Sequence, residues 1–207
     1  MSYGNERDVE VPALVDFVER HVDAAKSILD VGAAGSHATY APRIVERLPA
    51  YYAAIDKVAD PDTAAIVDDW TCGDMLAGTV TAEVGPFDAV TCISVIEHVG
   101  VKPWRSDTWK EERLLFFHAL LQASRHAVLL TAPYGHGGVV NEYQCVSPEE
   151  LATWSAIASV VGFSGRPRFY RGESPQGPTW SEVTWQEASA RATPAPFVCM
   201  VLEMVRT

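Results

Sequence analysis

The sequence has no long apolar run, no paired cysteines and little positive charge, and each absence removes a class of function. No stretch approaches the ~20 apolar residues that a membrane-spanning helix needs, so a membrane-embedded protein is not expected. Residues 1–10 are polar and acidic and lack the basic and apolar regions of a signal peptide. The four cysteines, Cys72, Cys92, Cys145 and Cys199, are scattered without a C-x-x-C pair. That spacing favours neither a disulfide framework nor a zinc site, and reduced thiols in a cytoplasm fit it best. Lys and Arg number 16 against 27 Asp and Glu, for a net charge of −11. A field of that sign repels a phosphate backbone, so nucleic acid is a disfavoured partner. The one basic group, Arg166, Arg168 and Arg171, reads either as solvated charge around an edge strand or as an anion site.

What is present suits one globular unit. The 207 residues are 48% hydrophobic and 21% charged, enough to bury a core and too apolar for wholesale disorder. A single domain over residues 1–207 is expected, with a leading helix within 1–25, a first half over 26–135 and a second over 136–207. Residues 11–22 carry apolar side chains at roughly helical spacing, with Pro12 suited to a first turn. Residues 27–31, 51–55, 65–71, 87–94 and 126–131 read as strands, and helical patterns at 38–48 and 111–123 lie among them. The fifth strand is expected to stop at Ala132-Pro133-Tyr134-Gly135. Ser147-Pro148-Glu149-Glu150 carries the signature of a capping box and predicts a helix ending near Gly162. Strands at 166–170 and 197–205 follow, separated by a Pro-, Gly- and Trp-rich stretch without an obvious long helix. Such alternation predicts parallel βαβ units, whose ligands bind beyond the carboxyl ends of the strands.

Candidate site residues gather at those ends. Asp30-Val31-Gly32-Ala33-Ala34-Gly35-Ser36 joins a strand to a helix through a glycine turn, which lets a ligand approach the backbone. Asp56 ends the second strand, near the ~20-residue spacing at which an acid accepts from ribose hydroxyls. Gly73-Asp74-Met75 places another acid after the third strand, suited to an exocyclic amine. Each of these acids also reads as a plain cap or a solvated side chain.

Together with Phe87-Asp88-Ala89-Val90-Thr91-Cys92-Ile93-Ser94-Val95-Ile96-Glu97-His98-Val99-Gly100 and Leu129-Leu130-Thr131-Ala132-Pro133-Tyr134-Gly135, these segments resemble the class I S-adenosylmethionine-dependent methyltransferases. The resemblance covers residues 28–134 and, more loosely, the C-terminal part. It implies an α/β, doubly wound, Rossmann-like sheet of seven mostly parallel strands with helices on both faces and the last strand antiparallel. It implies S-adenosylmethionine as the methyl donor, with residues 26–135 as the donor half and 136–207 as the acceptor side. Asp30, Gly32, Ala33, Ala34 and Gly35 would lie beside the methionine moiety, Asp56 and Lys57 at the ribose, and Gly73, Asp74 and Met75 near the adenine. Ile93 and Ser94 would line the pocket. Ala34 and Ser36 depart from the glycines of a richer loop.

In-line transfer from a sulfonium requires an aligned acceptor and, for a hydroxyl, removal of its proton. His98 is the first candidate base, with His136 and Glu97 behind it; Glu97-His98 also reads as a helix-capping pair. A small hydroxylated acceptor is expected. Residues 102–109, rich in aromatic and polar side chains, read as a lid, and Tyr143, Tyr170, Trp180 and Trp185 read as acceptor-side rings or as packing. An NAD-dependent oxidoreductase shares the fold and the ribose acid but lacks support in a Tyr-x-x-x-Lys pair. Thr131-Ala132-Pro133-Tyr134 faintly resembles the motif of DNA amino-methyltransferases, but after the wrong strand. A donor-binding module without catalysis is the third alternative.

Overall fold

Five strands run parallel, and each ends in or is followed by glycine or a short polar side chain: β1 (Ser27–Val31), β2 (Tyr51–Asp56), β3 (Asp69–Cys72), β4 (Phe87–Ile93) and β5 (Ser124–Tyr134). The computed structural model describes residues 6–21, 27–46, 51–77, 86–100, 108–135, 139–140, 143–172, 179–190 and 198–207. After a two-stranded ribbon of β6 (Val139–Val140) and β7 (Tyr143–Gln144) come β8 (Phe163–Gly172), β9 (Trp180–Val183) and β10 (Val198–Arg206). The main sheet has eight strands in the order β3-β2-β1-β4-β5-β10-β8-β9. β10 lies antiparallel between β5 and β8, which makes it the reversed strand the sequence implied.

Strand alternation divides the core between the two faces of the sheet. Leu29, Val31, Val90, Cys92, Val128 and Leu130 face one cluster, under helices α4 (Trp109–Gln122) and α5 (Pro148–Val160). Ile28, Tyr52, Ala89, Ile93 and Leu129 face the other, under α1 (Arg7–His21) and the short α2 (Ala41–Val45). The leading helix is held at its C-terminal end, where Arg20 and His21 donate to the Glu203 carboxylate of β10 at 2.6–2.9 Å. The capping box at Ser147 and Glu150 forms as expected, and Gly162 follows that helix at φ +83°.

The structure departs from the sequence reading in several places, and the leading helix starts at Arg7, so that Pro12 lies inside it rather than in its first turn. Ala65 to Asp68 form a turn after the one-turn α3 (Pro61–Ala64), so β3 starts only at Asp69. β5 runs on through Pro133, because the proline carbonyl accepts from Val146 N–H at 2.8 Å and the missing N–H leaves no ladder donor unpaired. The sheet has an eighth strand in place of the implied seven. Trp180–Val183 pairs antiparallel with β8, and Thr184 and Glu187 then cap α6 (Trp185–Ser189) in a second capping box. Trp185 Nε1 donates to Tyr134 Oη at 2.9 Å, tying this addition to β5. Along β8, Arg166 and Arg168 point to one face and Arg171 to the other, so the three arginines form no single anion patch. Arg171 instead donates to the Glu187 carbonyl at 2.8 Å.

Candidate functional site

Strand order reverses between β1 and β4, and the crevice that this leaves at the carboxyl ends is where ligands bind in open α/β sheets. A cavity of about 610 Å³ occupies it. Its lining takes Gly32 from the end of β1, Asp56 and Lys57 from β2, and Gly73, Asp74 and Met75 from β3. Ser94 and His98 come from β4 and the turn beyond it. Val95, Glu112 and Phe116, which the sequence reading did not single out, also line the cavity.

The floor depends on glycine. Gly32 sits at φ +79°, and a Cβ there would lie 2.2 Å from Val95 Cγ2, so the turn after β4 packs directly on the turn after β1. Two acids hold the loop that follows. Asp56 accepts from the N–H groups of Ala34 at 3.0 Å and Val58 at 2.9 Å. Asp60 accepts from Gly35 N–H at 2.6 Å and from the Thr63 hydroxyl at 2.7 Å. These charge-assisted bonds hold the Asp60 carboxyl well below the usual range. On the opposite wall Lys57 Nζ lies 2.8 Å from Asp74 Oδ2, while Asp74 Oδ1 accepts from Leu76 N–H.

Other expected residues lie elsewhere. Asp30 is completely buried on the α1 face, its carboxylate accepting from the Tyr52 and Thr91 hydroxyls at 2.9 Å each. Burial pushes its pKa up to about 6 despite those bonds. It braces the sheet beneath the loop rather than lining the cavity, because the period of two turns it away from Val31. Ala33 and Ile93 are core residues at 0% and 2% exposure, and Ala34 and Gly35, outside the lining, give their amides to Asp56 and Asp60. Glu97 is also buried, with no hydrogen-bond partner for Oε2. Burial, reinforced by Glu10 and Glu6, raises its pKa to about 8. His136 and residues 102–107 of the expected lid lie outside the described residues, while Trp109 opens α4. Its ring packs near the buried Arg113 guanidinium, as does that of Trp154, at 5.6 and 5.7 Å.

No protein-family model matches the sequence, and no curated protein matches it. Solved structures do. One is a magnesium protoporphyrin IX methyltransferase from Synechocystis PCC 6803 with bound SAH, at TM-score 0.61 and 12% identity over 98% of this chain and 84% of that one. A second is a 1,6-didemethyltoxoflavin-N1-methyltransferase from Burkholderia thailandensis with bound 1,6-didemethyltoxoflavin and S-adenosylhomocysteine, at TM-score 0.60 and 15% identity over 100% and 84%. The [4+2]-cyclase SpnF matches at TM-score 0.57 and 12% identity over 93% and 80%. The chain therefore has the Rossmann-like fold of the S-adenosylmethionine-dependent methyltransferases.

Proposed function

We propose that this protein binds S-adenosylmethionine and transfers its methyl group to a small molecule, at a hydroxyl oxygen. The observation that carries the reading is the convergence of Gly32, Asp56, Asp74 and Ser94 on one cavity at the strand order's reversal. The cavity suits the donor: Gly32 brings bare backbone into the lining, and the Asp56 and Asp74 carboxylates, each with acceptor capacity beyond its present partners, border the same space. The donor supplies an electrophilic methyl on a sulfonium, which leaves as S-adenosylhomocysteine. Asp56 would accept from the ribose hydroxyls, and Asp74, released from Lys57, from the adenine amine. His98, exposed in the turn after β4 and lining the same cavity, would take the acceptor's proton.

A dinucleotide fits less well. A pyrophosphate needs free N–H groups at the glycine turn, whereas here Asp56 and Asp60 take those of Ala34 and Gly35 and would repel it. The fold alone does not decide for transfer, since a [4+2]-cyclase shares it, so the catalytic step rests on His98 and the cavity. We place the protein in the cytoplasm because all four cysteines are free thiols. Among the described residues no helix is long and apolar enough to cross a membrane.

Calorimetric titration with S-adenosylhomocysteine and NAD side by side is expected to give saturable binding of the first alone. NAD binding in its place overturns the reading. In the same assay Asp56→Ala is expected to weaken the nucleoside by about 1.5–3 kcal/mol per charged hydrogen bond lost, before water compensates. The thermal midpoint should move little, because the Ala34 and Val58 amides that lose their acceptor lie near solvent. Unchanged affinity in the folded variant removes Asp56 from the donor site.

A further inference from the structure

Glu10, on the leading helix, meets the cavity wall through Ser94. Its side chain is 1% exposed, and three groups converge on its carboxylate. Ser94 Oγ donates to Oε1 at 2.5 Å, Thr131 Oγ1 donates to the same oxygen at 2.6 Å, and Arg7 Nη1 pairs with Oε2 at 3.0 Å. Ser94 is the one non-glycine residue among those described with positive φ, at +54°. A side chain in that left-handed region costs about 1–3 kcal/mol and persists only where its surroundings impose it. The imposing contacts are visible: the Glu10 carboxylate holds the hydroxyl, while Thr131 accepts from Ser94 N–H through Oγ1 at 3.1 Å and its carbonyl at 3.3 Å. Directly after Ser94, Val95 fills the space left by the missing Cβ of Gly32.

We infer that Glu10 is a positioning residue for the donor site, holding Ser94 in a left-handed turn so that Val95 stays packed on Gly32. The inference rests on the cavity being the donor site and adds a residue that touches no donor. With Arg20 and His21 anchored on Glu203, α1 is fixed at both ends, and only its N-terminal end reaches the cavity wall. Removing the carboxylate lets Ser94 relax toward negative φ. Binding must then restore the turn and forfeits that energy.

The test is S-adenosylhomocysteine titration of wild type, Glu10→Gln, Glu10→Ala and the double variant Glu10→Ala/Ser94→Gly, with thermal midpoints in parallel. Glu10→Ala is expected to weaken binding roughly 5- to 30-fold, the affinity equivalent of the lower part of that backbone cost. Glu10→Gln keeps an acceptor oxygen for both hydroxyls and should lose less. Glycine adopts the left-handed turn without help, so the double variant should regain most of the affinity while its thermal midpoint stays as low as that of Glu10→Ala. A general structural role for Glu10 would instead move affinity and midpoint together, and glycine at position 94 would rescue neither. That result, or unchanged affinity in Glu10→Ala, overturns the inference and leaves the donor site standing. Wild type that takes up no S-adenosylhomocysteine overturns both.

Discussion

Replacing His98 by alanine is expected to lower single-turnover methyl transfer by ~10²- to 10⁴-fold, the usual contribution of a positioned general base. Donor affinity should stay close to that of wild type. The argument is one of place. His98 closes the 3₁₀ turn Ile96–His98 directly after β4, is exposed, and borders the cavity on the same wall as Ser94 and Val95. A neutral imidazole can accept a proton. The acceptor has to be found first, by screening small phenols and alcohols for uptake of labelled methyl from S-adenosylmethionine. A fall in donor affinity that parallels the rate would make His98 an organiser of the pocket instead. Full activity in the alanine variant ends its assignment as the base and leaves alignment alone, or His136, to be tested.

Glu97 carries the second large effect, and the expected observable is stability against pH. In an unfolded chain this carboxyl titrates near 4.5, whereas burial, with Glu10 and Glu6 adding to it, raises the folded value to about 8. The folded protein thus binds the proton more tightly than the unfolded chain. The stability from this group is fully present below pH 4.5 and is lost as pH rises toward 8. Glu6, raised to about 7 chiefly by burial, and Asp30, raised to about 6, act in the same direction over lower windows. Carboxyls held low act oppositely. Asp60, bonded by Gly35 and Thr63, contributes stability that is present above about pH 4 and lost on further acidification. In Glu203 burial works against this, but the bonds from His21 and Arg20 outweigh it.

Thermal stability is accordingly expected to be greatest near pH 5 and to decline toward pH 9. Glu97→Gln, neutral at every pH, should flatten that decline. The part removed is roughly 2–4 kcal/mol, less than the full pKa shift implies because water and relaxation screen a buried charge. For a chain of this size that is on the order of 4–16 °C in thermal midpoint. Melting curves of both proteins from pH 4 to 9 decide it. A variant whose curve runs parallel to that of wild type throughout shows that Glu97 is not the titrating group.

Much of the cavity's lining could be read from the sequence because each part is local. A strand followed at once by glycine, aspartate or serine announces a carboxyl-end loop, and Gly32, Asp56, Lys57, Gly73, Asp74, Met75, Ser94 and His98 do line one cavity. The reading failed where sidedness mattered. Asp30 stands one residue from Val31, and alternation sends its side chain to the opposite face, yet no local signal tells which face the cavity shares. Glu97 and His98 are neighbours, but the turn buries one and exposes the other. The eighth strand was hidden because Trp180–Val183 is an edge strand, only four residues long, stabilised by pairing with β8 rather than by its own pattern.

The sequence by itself determined the order of strands and helices, the capped start of the helix at Ser147, and the acids and glycines that close the parallel strands. These follow from hydrophobic period, backbone freedom and capping chemistry, all of which act within a few residues. Only the tertiary structure decided how distant segments meet. Glu10, 84 residues from Ser94 and 121 from Thr131, reads in sequence as one more acid of the polar segment ahead of the leading helix. It becomes a buried acceptor because the sheet carries the ends of β4 and β5 beneath α1. The same long-range packing sets Val95 into the space over Gly32, and no local rule of sequence contains that contact.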